Sequence, residues 1–302
     1  MNLTVIKPVV FDRSMLVSST AVETVAAWSA GSYALGATAR RVVTKDGRLQ
    51  DRIFESQVAA NTADPAVGTS WVDIGPSNKE AMFDNKISTQ TDQAGSDPLI
   101  VEMAPLAIIN TVGLVNSSGI NATIEVYEGA VQTFTETIPL SSRYVDNWYD
   151  YFTLPFDTLS IATFTGVPAY QSSNIRITVD GELAAIGHCT FGRSVEIGEV
   201  EHGATSGIID YSRKETDEYG DTLLVERGFA DESSFQVVVF KENLNKVKRL
   251  LRDIRATPVL WIASDDAEYN EVVNVFGWYR THSIAISYPT FAMLDIEIEG
   301  LT

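Results

Sequence analysis

The stretch "DNWYDYF" places Trp148, Tyr149, Tyr151 and Phe152 within five residues, with Asp146 and Asp150 among them. Aromatic rings beside carboxylates can hold a sugar: rings stack on its apolar face while acids accept hydrogen bonds from its hydroxyls. Read as a strand, the stretch sends Trp148, Asp150 and Phe152 to one face and Tyr149 and Tyr151 to the other. The same pattern is also an ordinary cross-strand packing set that fills a core or an interface. A second candidate is Asp84, which follows an apolar knot (Ala81, Met82, Phe83) and leads a Ser/Thr/Gln run in "WVDIGPSNKEAMFDNKISTQT", Trp71–Thr91. Trp148, Tyr149, Tyr151 and Asp84 are thus the candidate glycan contacts. The competing role for Asp84 is local: with Ser88 and Thr89 it braces a turn, with Trp71 and Phe83 as core anchors and Gly75-Pro76 as the turn itself.

Charge supplies the other candidate surface. In "KENLNKVKRLLRDIRATP" the residues Leu244, Val247, Leu251 and Ile254 step by three, four and three, which predicts one apolar helical stripe over about 241–255, stopped by Pro258. The opposite side carries Lys241, Lys248, Arg252 and Arg255. These residues either solvate the helix and favour its dipole, or meet an acidic partner or a second copy of the chain.

Catalytic sets are harder to assemble. There is no G-x-S-x-G elbow, no P-loop and no G-x-G-x-x-G fingerprint. The acidic cluster Asp265, Asp266 and Glu268 lacks the spacing and central glycine of a calcium loop. His188, His202 and His282 are scattered, and the one cysteine, Cys189, excludes an intrachain disulfide and a cysteine zinc site. His188 and Cys189 are neighbours and point to opposite faces of a strand, so they do not form a base–nucleophile pair. The expectation is a protein that is not an enzyme, with no metal and no cofactor.

Forty acidic against 22 basic residues give a net charge of −18, and 11 − 20 = −9 of it falls before Gly187. Such a balance repels phosphate backbones, so no specific nucleic-acid binding is expected, although an acidic wall suits a passage through which DNA slides. No run approaches 18 apolar residues, so no membrane span is expected, and "MNLTVIKPVVFDRSM" does not read as a signal peptide.

The elements that position these residues are mostly strands. Apolar content of 45% over 302 residues suits a globular, two-domain chain. Residues 1–70 read as an arm or as the first strands of a β domain, with "VETVAAW" and both sides of the Lys45–Arg48 turn as strands. From Leu99, "LIVEM", "AIINTVGLVNSS", "ATIEVYEG", "VQTFTETIPL", "WYDYFTLPF", "NIRITVDG" and "AAIGHCTFGRS" are short β-branched and aromatic runs separated by turn residues, which predicts an antiparallel β-sandwich over 71–195. Residues 196–233 read as an extended connector with a hairpin turning near Tyr219–Asp221. Residues 234–302, with "FQVVVF", "PVLWIA", "EVVNVFGWYRT", "HSIAISYP" and "FAMLDIEIEGL" as strands, predict a small β-barrel or sheet domain with one helix.

The Trp71–Thr91 stretch resembles a motif of bacteriophage tail-tip and baseplate proteins that carry a carbohydrate-binding-like domain. The resemblance continues through "AIGHCTFGRSVEIGEVEHG", "GIIDYSRKETDEYGDTLLVERGFA" and "LNKVKRLLRDIRATPVLWI" to the end of the chain. It implies a galactose-binding-like jelly roll followed by the small one-helix barrel with which distal-tail proteins build rings. The usual family turn has Gly after the Asp, where this chain has Asn85 and Lys86. The implied protein belongs to the virion and is made in the host bacterial cytoplasm. Its implied partners are further copies of itself in a ring (hexamer or trimer), the tail tube, hub and fibres, and a host surface glycan.

Overall fold

Every second residue in the middle of Phe291–Gly300 is apolar and buried (Ala292, Leu294, Ile296, Ile298), while Asp295 and Glu297 face solvent. This period of two marks a strand with one wet face. It recurs through a chain that is mainly β and built from antiparallel sheets. The computed structural model describes residues 2–93, 95, 97–142, 147–153, 157–216, 219–264, 270–286 and 288–301. The chain divides into two compact units, Met1–Pro8 with Thr190–Thr302, and Val9–Cys189.

The first unit is a closed six-stranded barrel. Its strands, numbered in chain order, are β1 (Asn2–Pro8), β15 (Ala185–Val200), β19 (Phe229–Phe240), β20 (Val259–Ile262), β21 (Val275–Ala285) and β22 (Phe291–Gly300). They pair in the order β15-β1-β20-β21-β22-β19, and β19 returns to β15 through Glu199↔Val238 and Val200↔Val237. Glycines permit the tight seams. A Cβ on Gly192 would stand 2.1 Å from the Lys7 carbonyl oxygen, one on Gly198 2.2 Å from that of Val238, and one on Gly277 2.1 Å from that of Glu299. Helix α2 (Leu244–Asp253) drives Val247, Leu250 and Leu251, followed by Ile254, into the barrel core beside Phe235, Val259, Trp261 and Leu294. Each such burial stabilises by about 1.5–3 kcal/mol. The apolar stripe read from the sequence is therefore the packed face, with Leu250 added to it.

Three expectations change in this unit. Residues 2–8 are a barrel strand, since Leu3, Val5 and Ile6 are fully buried. The stretch 196–233 is sheet for much of its length: β15 runs to Val200, β16 (Thr205–Asp210) pairs with the first half of β19, and β17 (Arg213–Thr216) with β18 (Thr222–Val225) forms the hairpin expected near Tyr219–Asp221. "EVVNVFGWYRT" and "HSIAISYP" are not two strands. Asn270–Val273 is a short helix (α3) and β21 runs unbroken from Val275 to Ala285, with a bulge at Tyr279–Thr281.

The second unit contains the antiparallel sandwich. One sheet joins β13 (Ile161–Ala169), β8 (Ile109–Ser118), the start of β15 and the short β6 (Thr91–Asp92). The other has the order β10 (Val131–Pro139), β9 (Asn121–Glu128), β14 (Ser173–Asp180), β7 (Leu99–Met103), β2 (Leu16–Ser19). Strand β13 packs across onto β9 and β14. On β9, Ala122, Ile124 and Val126 are buried on one face and Thr123, Glu125 and Tyr127 are half-buried on the other. Strand β13, "IATFTGVPA", escaped the sequence reading because Gly166 and Pro168 look like turn residues; the ladder breaks there, between Thr165 and Ala169.

A three-stranded sheet, β3 (Thr38–Lys45), β4 (Arg48–Ser56) and β5 (Trp71–Pro76), completes this unit. Asp46 and Gly47 take positive φ of 53° and 76° in the two-residue turn between β3 and β4, the geometry that matches strand twist in tight hairpins. Val22–Trp28 is no strand and meets Arg40 through an isolated bridge at Ala27. Gly75-Pro76 ends β5, paired with Ile53 and Arg52, instead of forming the turn.

Candidate functional site

The Trp71–Thr91 stretch is held by polar contacts along its length. The Trp71 indole Nε1 donates to the Ala63 carbonyl at 2.8 Å, and the Ser77 N–H donates to the Asp51 carbonyl at 2.8 Å. A 3-10 turn, Asn78–Phe83, then buries Glu80, Ala81 and Met82. Glu80 Oε2 accepts the Asp51 N–H at 2.7 Å and Oε1 meets Arg13. Arg13 also lies 3.3 Å from Asp51 Oδ2, the same oxygen that Arg40 engages. Burial raises the Glu80 pKa above the usual carboxylate range, against the Asp51 N–H and Arg13, which lower it. Phe83 is half-buried and stacks on Phe11 with centroids 3.9 Å apart.

Asp84 is taken up in this framework. Its N–H donates to Ala81, and its Oδ1 accepts the Lys86 N–H at 2.8 Å, closing a short side-chain turn. Burial raises its pKa, opposed by Lys86 and by a hydrogen bond from Thr89. Its carbonyl accepts a hydrogen bond from His188 Nδ1–H at 2.5 Å. His188 is buried, and burial lowers its pKa to about 4. The adjoining Cys189 is buried as well, with its thiol pushed far above the usual range by desolvation, so it behaves as a small hydrophobe.

The aromatic run is a helix, α1 (Trp148–Thr153), and not a strand. Asn147 precedes it and caps it by accepting the Asp150 N–H at 3.0 Å. Helical spacing regroups the rings: Trp148, Tyr151 and Phe152 come together at i, i+3 and i+4. Trp148 and Phe152 are near-parallel at 22°, and Tyr151 stands edge-on to both. The core reading fails here, because Trp148, Tyr149 and Phe152 are each at least 75% exposed and Tyr151 is 52% exposed. The excursion is pinched at its base by a two-residue ladder, β11 (Ser141–Ser142) against β12 (Asp157–Thr158). Asp84 sits in the separate network above, so the four candidate glycan contacts do not form one set.

Lys241, Lys248, Arg252 and Arg255 are exposed on or beside α2, together with Lys246 and Arg249. Among the described residues no ion pair involves any of these six. Asp253 is instead paired with Lys7 at 3.5 Å. The acidic cluster Asp265, Asp266 and Glu268 lies outside the described residues.

Two surfaces were not foreseen from the sequence. On the outer wall of the barrel, β22 presents Asp295, Glu297 and Glu299, with Glu232 of β19 directly opposite Glu299. Hydroxyl and amide side chains flank them: Gln236 and Ser283 beside Asp295, Ser234 and Thr281 beside Glu297. The second surface is the arm from β16 through β18. It leaves Ile208, Tyr219, Leu223 and Leu224 between 62% and 91% exposed, with Phe229 at 57% at its root. Alternation on β22 was the available signal for the first surface. The second was masked by its charged residues.

No family model and no curated protein matches the sequence. Two solved structures are weakly similar to part of the chain. One is chitosan-binding module 1 derived from a chitosanase/glucanase of Paenibacillus sp. IK-5, at 15% identity and a TM-score of 0.27, covering 38% of this chain and 84% of that one. The other is a selenomethionine-labelled mutant of the same module, at 15% identity and 0.26, covering 37% and 82%.

Proposed function

We propose that the chain is a structural component of a bacteriophage tail tip or baseplate, acting by assembly and not by catalysis. In this reading it forms or decorates a ring at the distal tail, in the virion, and docks the tube, hub or fibre proteins beside it. The observation that carries it is the β16–β18 arm. An exposed hairpin bearing Leu223, Leu224 and Tyr219 has no core of its own, and a two-stranded hairpin alone is marginal in water. A second chain that covers it removes this apolar surface from solvent. Among the described residues strand β16 is an edge of its sheet, and such edges invite strand pairing unless they are covered. The carboxylate wall of β19 and β22 supports the same reading, since a ring that turns this wall inward repels DNA passing through it.

The test is the mass of the full chain by sedimentation, with electron micrographs of the same sample. Closed rings, hexameric or trimeric, are the expected result. A monomer at every concentration, with and without its tail neighbours, overturns the reading.

Helix α1 favours a second role in the same protein, the capture of a host surface glycan. The segment between β11 and β12 displays Trp148, Tyr149, Tyr151 and Phe152 as exposed rings, and exposed rings offer the apolar contact that sugars use. Binding to immobilised cell-envelope polysaccharide reads this directly. Trp148→Ala and Tyr151→Ala should each weaken retention while leaving stability within about 0.5 kcal/mol, as expected of exposed residues. Unchanged retention in both removes the role.

A further inference from the structure

Helix α2 carries positive charge that neither its own stability nor the barrel accounts for. Six of the 11 basic residues after Gly187 fall within 241–255, against two acids there, Glu242 and Asp253. All six are exposed. A solvated helix balances such charges with acids three or four residues away, and its dipole favours acids in the first turn and bases in the last. Here the first turn has no acid, and Arg252 is the one base in the last turn. Lys248 and Arg249 stand four and three residues before Arg252, a like-charge spacing that weakens a helix. Asp253 lies four residues after Arg249 but turns to Lys7 instead, at 3.5 Å. Among the described residues none of the six basic side chains makes an ion pair, and Arg249 Nε donates to the Asn245 carbonyl of its own helix at 3.2 Å.

We propose, resting on the docking half of the reading above, that the outer face of α2 receives a short acidic segment of a different protein. Lys248, Arg249 and Arg252 anchor it, with Lys246 beside them. The partner's chemistry follows from the surroundings. The helix is about 15 Å long, and Glu242 and Asp253 bound its run of bases. Residues 241–255 carry 6 − 2 = +4, so the rest of the chain carries −18 − 4 = −22. A long polyanion such as DNA runs off this strip onto a surface that repels it, and a second copy brings its own −18. A short acidic loop or chain end gains the attraction without that repulsion. The forked guanidinium groups of Arg249 and Arg252 suit carboxylates, and the long basic stems cover apolar side chains interspersed among them.

Fluorescence anisotropy of a labelled Asp-Glu-Leu repeat peptide with the full chain tests it, with an Asn-Gln-Leu repeat as the neutral blank. Binding should be saturable and should weaken about tenfold or more between about 50 and about 500 mM salt. Lys248→Glu with Arg252→Glu should weaken it about tenfold or more, with the circular dichroism of the parent. Lys248→Gln with Arg252→Gln, gentler on the fold, should lose about threefold or more. Arg48→Glu with Lys86→Glu changes the net charge as much elsewhere and should leave binding within about twofold. No saturable binding by the parent, or equal losses in the two glutamate double variants, overturns the contact. Duplex DNA that binds through Lys248 and Arg252 more tightly than the peptide overturns it too, in favour of a nucleic acid. Rings in sedimentation with no peptide bound remove this contact and leave the assembly reading standing. Peptide binding by a chain that never forms rings does the reverse.

Discussion

Glu232 and Glu299 stand directly opposite each other on β19 and β22, two carboxylates on the outer wall of one barrel. Glu299 also accepts the Tyr211 hydroxyl at 3.3 Å. Like charges directly opposite on paired strands destabilise a sheet by roughly 0.2–1 kcal/mol. Glu232→Gln is therefore expected to raise the urea midpoint by a corresponding amount, with the gain shrinking as salt is added. A lower midpoint would show that the pair is tolerated for a structural reason. A gain in stability is the outcome that fits a wall kept acidic for what passes it.

Glu80 is the polar anchor of the Trp71–Thr91 stretch, so its removal should be felt through the whole three-stranded sheet. Glu80→Ala leaves the buried Asp51 N–H without its acceptor and Arg13 without one of its two carboxylates. Breaking a buried ion pair costs about 3–5 kcal/mol, and the partial exposure of Arg13 places the expectation near about 3 kcal/mol. Glu80→Gln keeps an acceptor for Asp51 and should cost less. A loss below about 1 kcal/mol for the alanine variant, measured by urea unfolding, would make the network incidental.

The barrel seams give a steric prediction. Gly198→Ala and Gly277→Ala each drive a methyl to within 2.2 Å of a backbone carbonyl oxygen on the neighbouring strand. Backbone has little room to yield, so each should cost about 1–3 kcal/mol. Gly207, whose Cβ would meet nothing within 4 Å, is the control and should tolerate alanine. Equal midpoints for Gly198→Ala and Gly207→Ala would disprove the close approach.

The barrel and the sandwich were legible where one face of an element is wet. The stripe Val247–Leu251–Ile254 and the alternation Ala122–Ile124–Val126 both write their packing into the spacing of apolar residues. What escaped was set by long-range pairing. Residues 2–8 look like any apolar stretch until Leu3 and Val5 meet strands nearly 200 and 260 residues away. The aromatic run misled for a different reason. β-branched and aromatic content argues for a strand, yet the Asn147 cap and the i, i+3, i+4 ring contacts form a short helix. Its exposure also reversed the inference from composition: rings expected in a core are displayed to solvent. The charges of 241–255 were visible at once in the sequence.

His188 ties the stability of the sandwich unit to pH. The unfolded chain takes up a proton at the ordinary histidine value near 6.5, while the folded chain resists until about pH 4, because burial disfavours the imidazolium more than the Asp84 carbonyl favours it. Between those values the unfolded state holds more protons, so stability rises with pH there, is fully present above about 6.5, and is lost as pH falls to about 4. The displacement corresponds to about 3 kcal/mol in all, of which about 2 kcal/mol should be gone by about pH 5. Glu80 and Asp84 act in the opposite sense, since their raised carboxyl pKa values favour the folded state on the acid side. The comparison must therefore be between the parent and His188→Gln, each unfolded in urea at about pH 7 and about pH 5. The glutamine variant should start less stable if its amide fits the Asp84 carbonyl poorly, but its loss between the two pH values should be smaller than the parent's by about 2 kcal/mol. Parallel losses in both proteins would mean that His188 does not carry the dependence.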